Sequence, residues 1–158
     1  MDHITSSLVE RMGMLQKTEW GKELANEQLE RFAQYVYAAK AAKDAQIFNE
    51  GSREPYMCFI VDGLVRIAKG DSRKQEKMIS EIGPGRTFGE MSIIDGLPRS
   101  ASAVAVEDTT ILVLTKENFE LLLNDNPKLG NVIFSRLAQL MSHRLRLTDW
   151  MLVEYLYE

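Results

Sequence analysis

The sequence has few of the residues that form disulfides or bind metal ions. Its 158 residues include one cysteine, Cys58, two histidines and four prolines. A single cysteine excludes an internal disulfide and a cysteine-ligated cluster, and one cysteine with two histidines does not make a metal site. Cys58 lies in the apolar run Tyr56-Met-Cys-Phe-Ile, so we expect a buried structural thiol within a strand.

Long apolar runs and an excess of positive charge are also missing. No apolar run approaches the roughly 20 residues of a membrane span, and the first residues, Met-Asp-His-Ile-Thr, lack the charged-then-apolar pattern of a signal peptide. The formal net charge of −4 argues against a broad nucleic-acid-binding surface, because such surfaces depend on many Lys and Arg contacts to phosphates. We therefore expect one small cytoplasmic domain in which any phosphate site is local.

The most informative segment is residues 88–103, which reads Phe-Gly-Glu-Met-Ser-Ile-Ile-Asp-Gly-Leu-Pro-Arg-Ser-Ala-Ser-Ala. Gly89 lets backbone approach a ligand, the following amides can open a short helix whose N-terminus attracts an anion, and Arg99 offers paired donors to phosphate oxygens. Glu90 fits beside a phosphate only if the ligand also donates a hydroxyl, as a ribose does, and if Arg99 balances the charge. The segment predicts a site for one sugar phosphate.

Two other interpretations of this segment stay open. Glu90 and Arg99 can form a plain salt bridge across a loop, with Gly89 merely a turn. Glu90 and Asp95 can be imagined as the acid and base of an enzyme, but no nucleophile, metal set or histidine accompanies them. We therefore expect no enzymatic activity.

The N-terminal and middle regions of the chain have different patterns. Residues 1–43 form an N-terminal segment that we expect to be helical from about Ile4 to Ala42, because apolar residues recur there at helical spacing. Residues 44–115 alternate short apolar runs with turns, and Asp62-Gly63 between two such runs is a strong hairpin signal. The predicted strands are 45–48, 56–61, 64–69, 77–82, 100–106 and 110–114.

Residues 116–158 predict two helices, a short one from Glu117 to Asn124 and a long one that starts at Asn126-Pro127. The long helix has two apolar stripes, of which one can cover the strands and the other suggests a helix-to-helix dimer seam. The predicted fold class is α+β: an antiparallel, jelly-roll-like β-roll flanked by N-terminal helices and a long C-terminal helix.

The segment 88–103 resembles the phosphate-binding cassette of cyclic-nucleotide-binding domains, in which Phe-Gly-Glu, a short helical turn and Arg-Ser/Thr-Ala recur in this order. Residues 47–51, 59–67 and 82–90 also resemble segments of that family's β-roll. One departure is Lys43-Asp44, where members often carry a glycine, although an aspartate tolerates a left-handed backbone.

The resemblance implies a role for each matching cassette residue. Glu90 would accept the ribose 2′-hydroxyl and Arg99 would pair with the cyclic phosphate. Gly89 and Met91 would give backbone contacts, and Ser100 would add a hydroxyl to the phosphate.

Two residues outside the cassette match base contacts in the catabolite activator branch of the family. Thr148, in Arg144-Leu-Arg-Leu-Thr-Asp, matches a threonine that reaches the purine, whereas Asp149 replaces the serine that follows it. Ser80 matches a strand serine near the base. Ordinary surface hydroxyls are an equal alternative for both, and Trp150 is one of three aromatic residues that could instead form a stacking lid.

The resemblance implies a regulatory domain that senses a 3′,5′-cyclic nucleotide, with cAMP preferred and cGMP possible. Ligand binding would reposition the C-terminal helix, and a protein partner or a homodimer would read that change. Transcription factors of this superfamily continue into a helix-turn-helix that this sequence lacks, so we expect no direct DNA binding. A ligand-free interaction scaffold with a vestigial pocket and a different ligand, such as a dinucleotide or a small acid, remain alternatives.

Overall fold

The computed structural model describes residues 1–157, in which two antiparallel sheets form a roll with helices around it. The strands are β1 (Asp2–Ile4), β2 (Tyr37–Ala41), β3 (Gln46–Phe48), β4 (Tyr56–Asp62), β5 (Val65–Gly70), β6 (Glu76–Ile82), β7 (Thr87–Phe88), β8 (Ser102–Ala105) and β9 (Thr109–Thr115). The helices are α1 (Leu8–Gln16), α2 (Glu19–Glu23), α3 (Asn26–Ala33), α4 (Glu90–Asp95), α5 (Lys116–Asp125) and α6 (Pro127–Leu156). The predicted α+β roll with a long C-terminal helix is confirmed.

The two sheets pack against each other and share one apolar layer. One sheet has the order β1-β2-β9-β4-β7 and the other the order β3-β8-β5-β6. Strand β4 is buried from Tyr56 to Val61 because it is covered on both faces: Cys58 and Ile60 face the other sheet, whereas Met57 and Phe59 face the helices. A strand covered on both faces reads as a continuous apolar run, which is the pattern at 56–61.

Two local predictions are wrong. Residues 1–43 are not helical throughout, because Asp2–Ile4 and Tyr37–Ala41 are strands that pair with each other, and β2 also pairs with β9. Asp62-Gly63 does not close a hairpin, since β4 and β5 belong to different sheets. In both cases the local structure is determined by pairing with β9, a strand distant in sequence. Helical periodicity and turn signals are local and do not predict such pairing.

The turn at Asp44 shows the left-handed backbone that the sequence allowed for, with φ of +70°. Its amide donates to the Ala105 carbonyl at 2.8 Å. The departure from the family's glycine is therefore accommodated without loss of the turn.

The two C-terminal helices begin where the sequence predicts. The Thr115 hydroxyl accepts from the Asn118 amide at 3.0 Å, and the Asn126 side chain accepts from the Leu129 amide at 3.3 Å, directly before α6. At 1.5 Å per residue the 30 residues of α6 span roughly 45 Å. None of the helices in residues 1–157 has the length and apolar character that crossing a membrane requires.

The apolar contacts of helix α6 with the core lie in its first half. Leu129, Ile133 and Leu137 are buried in the core that lies between the helices and the outer face of β4 and β9. Arg136 adds an ion pair to Glu23 of α2 at 2.8 Å. Most of the large apolar side chains after residue 144 are exposed.

Neighbouring leucines on α5 test this placement of the core. Leu122 is fully buried, whereas Leu121 is 46% exposed. We expect Leu122→Ala to lower the free energy of unfolding by about 2–5 kcal/mol and Leu121→Ala to lower it by less than about 1 kcal/mol. Urea unfolding measures both, and equal losses would contradict the described packing of α5.

Candidate functional site

The cassette is built around Gly89, which joins β7 to α4. Gly89 has φ of +81°, and α4 ends at Gly96 with φ of +68°. A Cβ at Gly89 would lie 2.9 Å from Nη1 of Arg99 and 3.1 Å from the Tyr56 carbonyl oxygen. The position therefore needs glycine both for its backbone conformation and for the close approach of the Arg99 guanidinium.

Arg99 is buried, with 5% of its surface exposed, and its guanidinium ties α4 to β4. Nη1 donates to the Gly89 carbonyl at 3.0 Å and to the Ser92 hydroxyl at 2.6 Å, and Nη2 donates to the Tyr56 carbonyl at 2.6 Å. The Cζ atom lies 3.8 Å from the ring centroid of Phe48 and 4.6 Å from that of Tyr56. Two aromatic faces and two carbonyls thus hold one cation.

The charge of Arg99 is not matched by an acid. Among residues 1–157 no carboxylate forms an ion pair with it, and its Nε is buried without a hydrogen-bond partner. Burial lowers the pKa of the Arg99 guanidinium below its usual value. Carbonyl dipoles and ring faces offset only part of the free-energy cost of desolvating a buried cation. An anion bound at Arg99 would therefore be stabilised.

Glu90 is also buried, with 1% exposed, but its charge is matched. Oε2 accepts from Nη1 of Arg144 at 2.5 Å and Oε1 accepts from Nη2 at 3.0 Å. Oε1 also accepts from the Thr87 hydroxyl at 2.5 Å, and Nη2 of Arg144 donates to the Thr87 carbonyl at 3.1 Å. The cassette carboxylate is therefore held by α6.

The alternative of a plain Glu90–Arg99 salt bridge across the loop is wrong. The partner of Glu90 is Arg144, 54 residues further along the chain. In the sequence, Arg144 stands out only as the first residue of the segment that carries Thr148. Arg144 is a charged residue on the apolar stripe of the long helix that covers the roll, and it lies one turn before Thr148. This position is the signal that could have identified it as a partner of the cassette.

The remaining predicted site residues lie on exposed surface. Met91 and Ser100 lie side by side at the cassette, with the Ser100 hydroxyl 3.9 Å from Sδ of Met91. Thr148 is one turn beyond Arg144 on α6, and its hydroxyl donates to the Arg144 carbonyl at 2.9 Å. Ser80 lies on β6 opposite Ile67, which packs on the layer between the sheets. Gly89, Glu90 and Arg99 are brought together, whereas Ser80 and Thr148 make no hydrogen bond to them within the described residues.

Cys58, which pairs with Phe88 across β4 and β7, is fully buried as expected, and burial raises the pKa of its thiol well above the usual value. Within residues 1–157 no group of three or more His, Cys, Asp or Glu side chains is arranged to hold a metal ion.

The family model for the cyclic nucleotide-binding domain matches residues 39–126. The chain belongs to the cyclic nucleotide-binding domain family. The matched range covers the strands from β2 on, the cassette and α5, so it includes Gly89, Glu90 and Arg99 but not Arg144.

Curated relatives of the domain include regulators and channels. The cyclic AMP receptor protein of Thermus thermophilus is 35% identical over 126 residues, which are 80% of this chain and 56% of that protein. A cyclic nucleotide-gated potassium channel of Rhizobium etli is 35% identical over 89 residues, 56% of this chain and 23% of the channel. The domain thus spans about half of the Thermus relative and about a quarter of the channel.

Solved structures give the same fold. A cyclic nucleotide-binding domain from Methylobacillus flagellatus has a TM-score of 0.77 at 35% identity, covering 88% of this chain and 78% of that one. The catabolite activator protein of Thermus thermophilus has a TM-score of 0.74 at 33% identity, covering 84% of this chain and 61% of that one. A kinase regulatory subunit of Trypanosoma cruzi bound to guanosine is similar in fold alone, with a TM-score of 0.66 at 17% identity over 79% of this chain and 44% of that one.

The two cassette glycines form a matched pair for a stability test. Both have positive φ, so alanine costs about 1–2 kcal/mol in backbone strain at either position. A Cβ at Gly96 meets only side-chain carbons of Lys116, at 3.6 and 3.9 Å, whereas one at Gly89 crowds the Arg99 guanidinium. We expect Gly89→Ala to lower the free energy of unfolding more than Gly96→Ala in urea titrations, and equal losses would contradict the close contact.

The Glu90–Arg144 pair predicts a non-additive effect on stability. Arg144→Met leaves the Glu90 carboxylate buried with the Thr87 hydroxyl as its remaining partner, so we expect a loss of about 1–3 kcal/mol. Adding Glu90→Gln removes the unpaired charge and is expected to restore part of the stability. Urea unfolding of the two single variants and the double variant measures the coupling, and strictly additive losses would show that the pair contributes nothing.

Proposed function

We propose that this domain binds a 3′,5′-cyclic nucleotide, with a preference for cAMP, and acts as a sensor without enzymatic activity. The observation that carries the proposal is the buried guanidinium of Arg99, which has a free Nε and no acidic partner among the described residues. A singly charged phosphodiester is the anion that the family membership favours at this position.

The phosphate would bind at Arg99. Nε is without a partner and Nη2 makes one hydrogen bond, so both can donate to the two oxygens of one oxyanion. Because Nε is itself buried, the residues that cover it must move for the anion to reach it. Gly89 and Met91 would supply backbone contacts, and the exposed Ser100 hydroxyl would add a donor at the cassette edge. Binding would supply the negative charge that the buried cation lacks.

The ribose would bind at Glu90. Oε1 already accepts two hydrogen bonds, whereas Oε2 accepts one from Arg144, which leaves a lone pair for the 2′-hydroxyl. Because Glu90 is 1% exposed, Arg144 must move for that hydroxyl to enter. Ligand binding and the position of α6 are therefore coupled through one carboxylate.

The purine would lie between β6 and α6, with Ser80 and Thr148 as contacts. Thr148 lies one turn from Arg144, and Ser80 lies on the open edge of the four-stranded sheet. Preference for cAMP rests on the similarity to the cyclic AMP receptor protein. The hydroxyl of Ser100 is compatible with cGMP as well as with cAMP, so cGMP is the competing ligand.

The signal would pass from the cassette to the long helix by two routes. Arg144 links Glu90 directly to α6. Ile93 of α4 packs in the same core as Phe119 of α5 and Leu137 of α6. Nζ of Lys116 donates a hydrogen bond to the Ile93 carbonyl at 3.2 Å. A shift of α4 would therefore change the packing of both α5 and α6. The ligand acts as a switch to the extent that it binds one arrangement of these helices more tightly than the other.

The response would be read in the cytoplasm by a protein partner or by self-association through α6. The exposed apolar side chains beyond residue 144 are the surface available for it. A homodimer formed along this helix is the simplest form of the proposal, since one apolar stripe of α6 faces the roll and another does not.

Calorimetric titration with cAMP and cGMP tests the proposal. We expect a Kd of micromolar or better for cAMP, about −8 kcal/mol, and at least tenfold weaker binding by Arg99→Lys, which keeps the charge but loses the bidentate fork. Glu90→Gln should weaken binding of cAMP more than binding of its 2′-deoxy analogue.

Arg31→Ala is the matched control, because Arg31 is an exposed arginine that pairs with Glu27 on α3. It should leave the affinity unchanged. No heat with either nucleotide for a folded wild-type sample would overturn the proposal and favour the ligand-free scaffold. Binding that survives in Arg99→Lys and Arg99→Ala alike would place the ligand elsewhere.

A further inference from the structure

Lys69 of β5 lies beside the cassette and has no part in the site described above. Its Nζ donates to the carbonyl oxygen of Ser100 at 2.6 Å. Ser100 follows Arg99, whose own carbonyl accepts from the Gly51 amide at 2.8 Å. The ammonium of Lys69 is therefore bound to the backbone of the residue next to the buried guanidinium.

The register of β5 explains how this lysine reaches the cassette. Strand β5 pairs with β8 without a break, and Val65 and Ile67 lie opposite two alanines of β8. Val65 is buried in the apolar layer between the two sheets, and Ile67 packs against that layer. Because alternate residues of a strand face the same side, Lys69 continues this inward-facing row at the end of β5 that lies next to the cassette.

Lys69 has one acidic partner, Glu50, and the pair is open to water. Oε1 of Glu50 lies 3.2 Å from Nζ of Lys69, and Oε2 accepts from the Gly70 amide at 3.1 Å. The Lys69 side chain is 51% exposed and that of Glu50 is 38% exposed. An ion pair of this kind is weak because water screens it, so the ammonium can leave Glu50 for another anion at little cost.

We propose that Lys69 is a second cation of the phosphate site and that Glu50 opposes it. This rests on the proposed function, in which the phosphate binds at Arg99 and Ser100. A phosphate in that place lies next to the ammonium of Lys69, which is a compact charge on a flexible stem and can turn toward the phosphate oxygens. The carboxylate of Glu50 repels the same phosphate. Lys69 and Glu50 therefore change the affinity for the nucleotide in opposite directions.

Substitutions at the two residues separate a role of charge from a role in supporting the cassette backbone. At low ionic strength we expect Lys69→Met to weaken cAMP binding about three- to tenfold and Lys69→Arg to stay within about threefold of the wild type. Glu50→Gln should strengthen cAMP binding about two- to fivefold, because its amide oxygen can still accept from the Gly70 amide while the repelling charge is gone. If Lys69 only supported the Ser100 carbonyl, loss of its partner Glu50 would weaken binding or leave it unchanged.

Calorimetric titration with cAMP at about 20 mM and about 300 mM salt measures these effects, and the loss in Lys69→Met should shrink at the higher salt because counter-ions screen the charge. Lys40→Met is the control, since Lys40 is an exposed lysine on β2, in the other sheet. It should leave the affinity unchanged at both salt concentrations. Urea unfolding of each variant checks that the fold is kept.

Three results would overturn the role of Lys69 and leave the sensor standing: wild-type affinity of Lys69→Met at low salt, a loss in Lys69→Met that is the same at both salt concentrations, and weaker binding by Glu50→Gln. Absence of cAMP binding by the folded wild-type domain would instead overturn the proposed function, and the role of Lys69 with it. The wild-type titration therefore distinguishes the two failures.

Discussion

The cassette depends on one buried cation. Arg99 lies against the rings of Phe48 and Tyr56, and its guanidinium donates to the carbonyls of Gly89 and Tyr56, so it fixes α4 against β4 before any ligand binds. Dipoles and ring faces stabilise a cation less completely than a counter-ion does. The residue that organises the cassette therefore also leaves within it a place where negative charge is stabilising.

The second charge pair makes the site part of the whole domain. Glu90 would be as costly to bury alone as Arg99, but Arg144 reaches it from α6. The same helix is held near its start by Leu129 and Leu137 in the core and by Arg136 at Glu23. A ligand that changes the Glu90–Arg144 contact changes the least supported part of α6, while the first half stays anchored.

The fold was largely predictable from the sequence, and the site only in part. Apolar runs, caps and proline located most strands and both C-terminal helices, because each of those signals is local. Strand β2 and the connection after Asp62 were mispredicted, since pairing with β9 depends on residues about 50 to 75 positions away. The cassette motif located Glu90 and Arg99, but charge balance alone could not tell which arginine pairs with the acid. Arg144 is the partner only because α6 crosses the cassette.

The free Nε of Arg99 gives the most direct measurement. In a ¹⁵N–¹H spectrum of arginine side chains, the Arg99 Nε–H resonance should shift on addition of cAMP and its exchange with water should slow, because the phosphate supplies the missing acceptor. The Nε–H resonance of Arg31, an exposed arginine, should not move. An unchanged Arg99 resonance at saturating cAMP would contradict the account that this buried cation is the phosphate site.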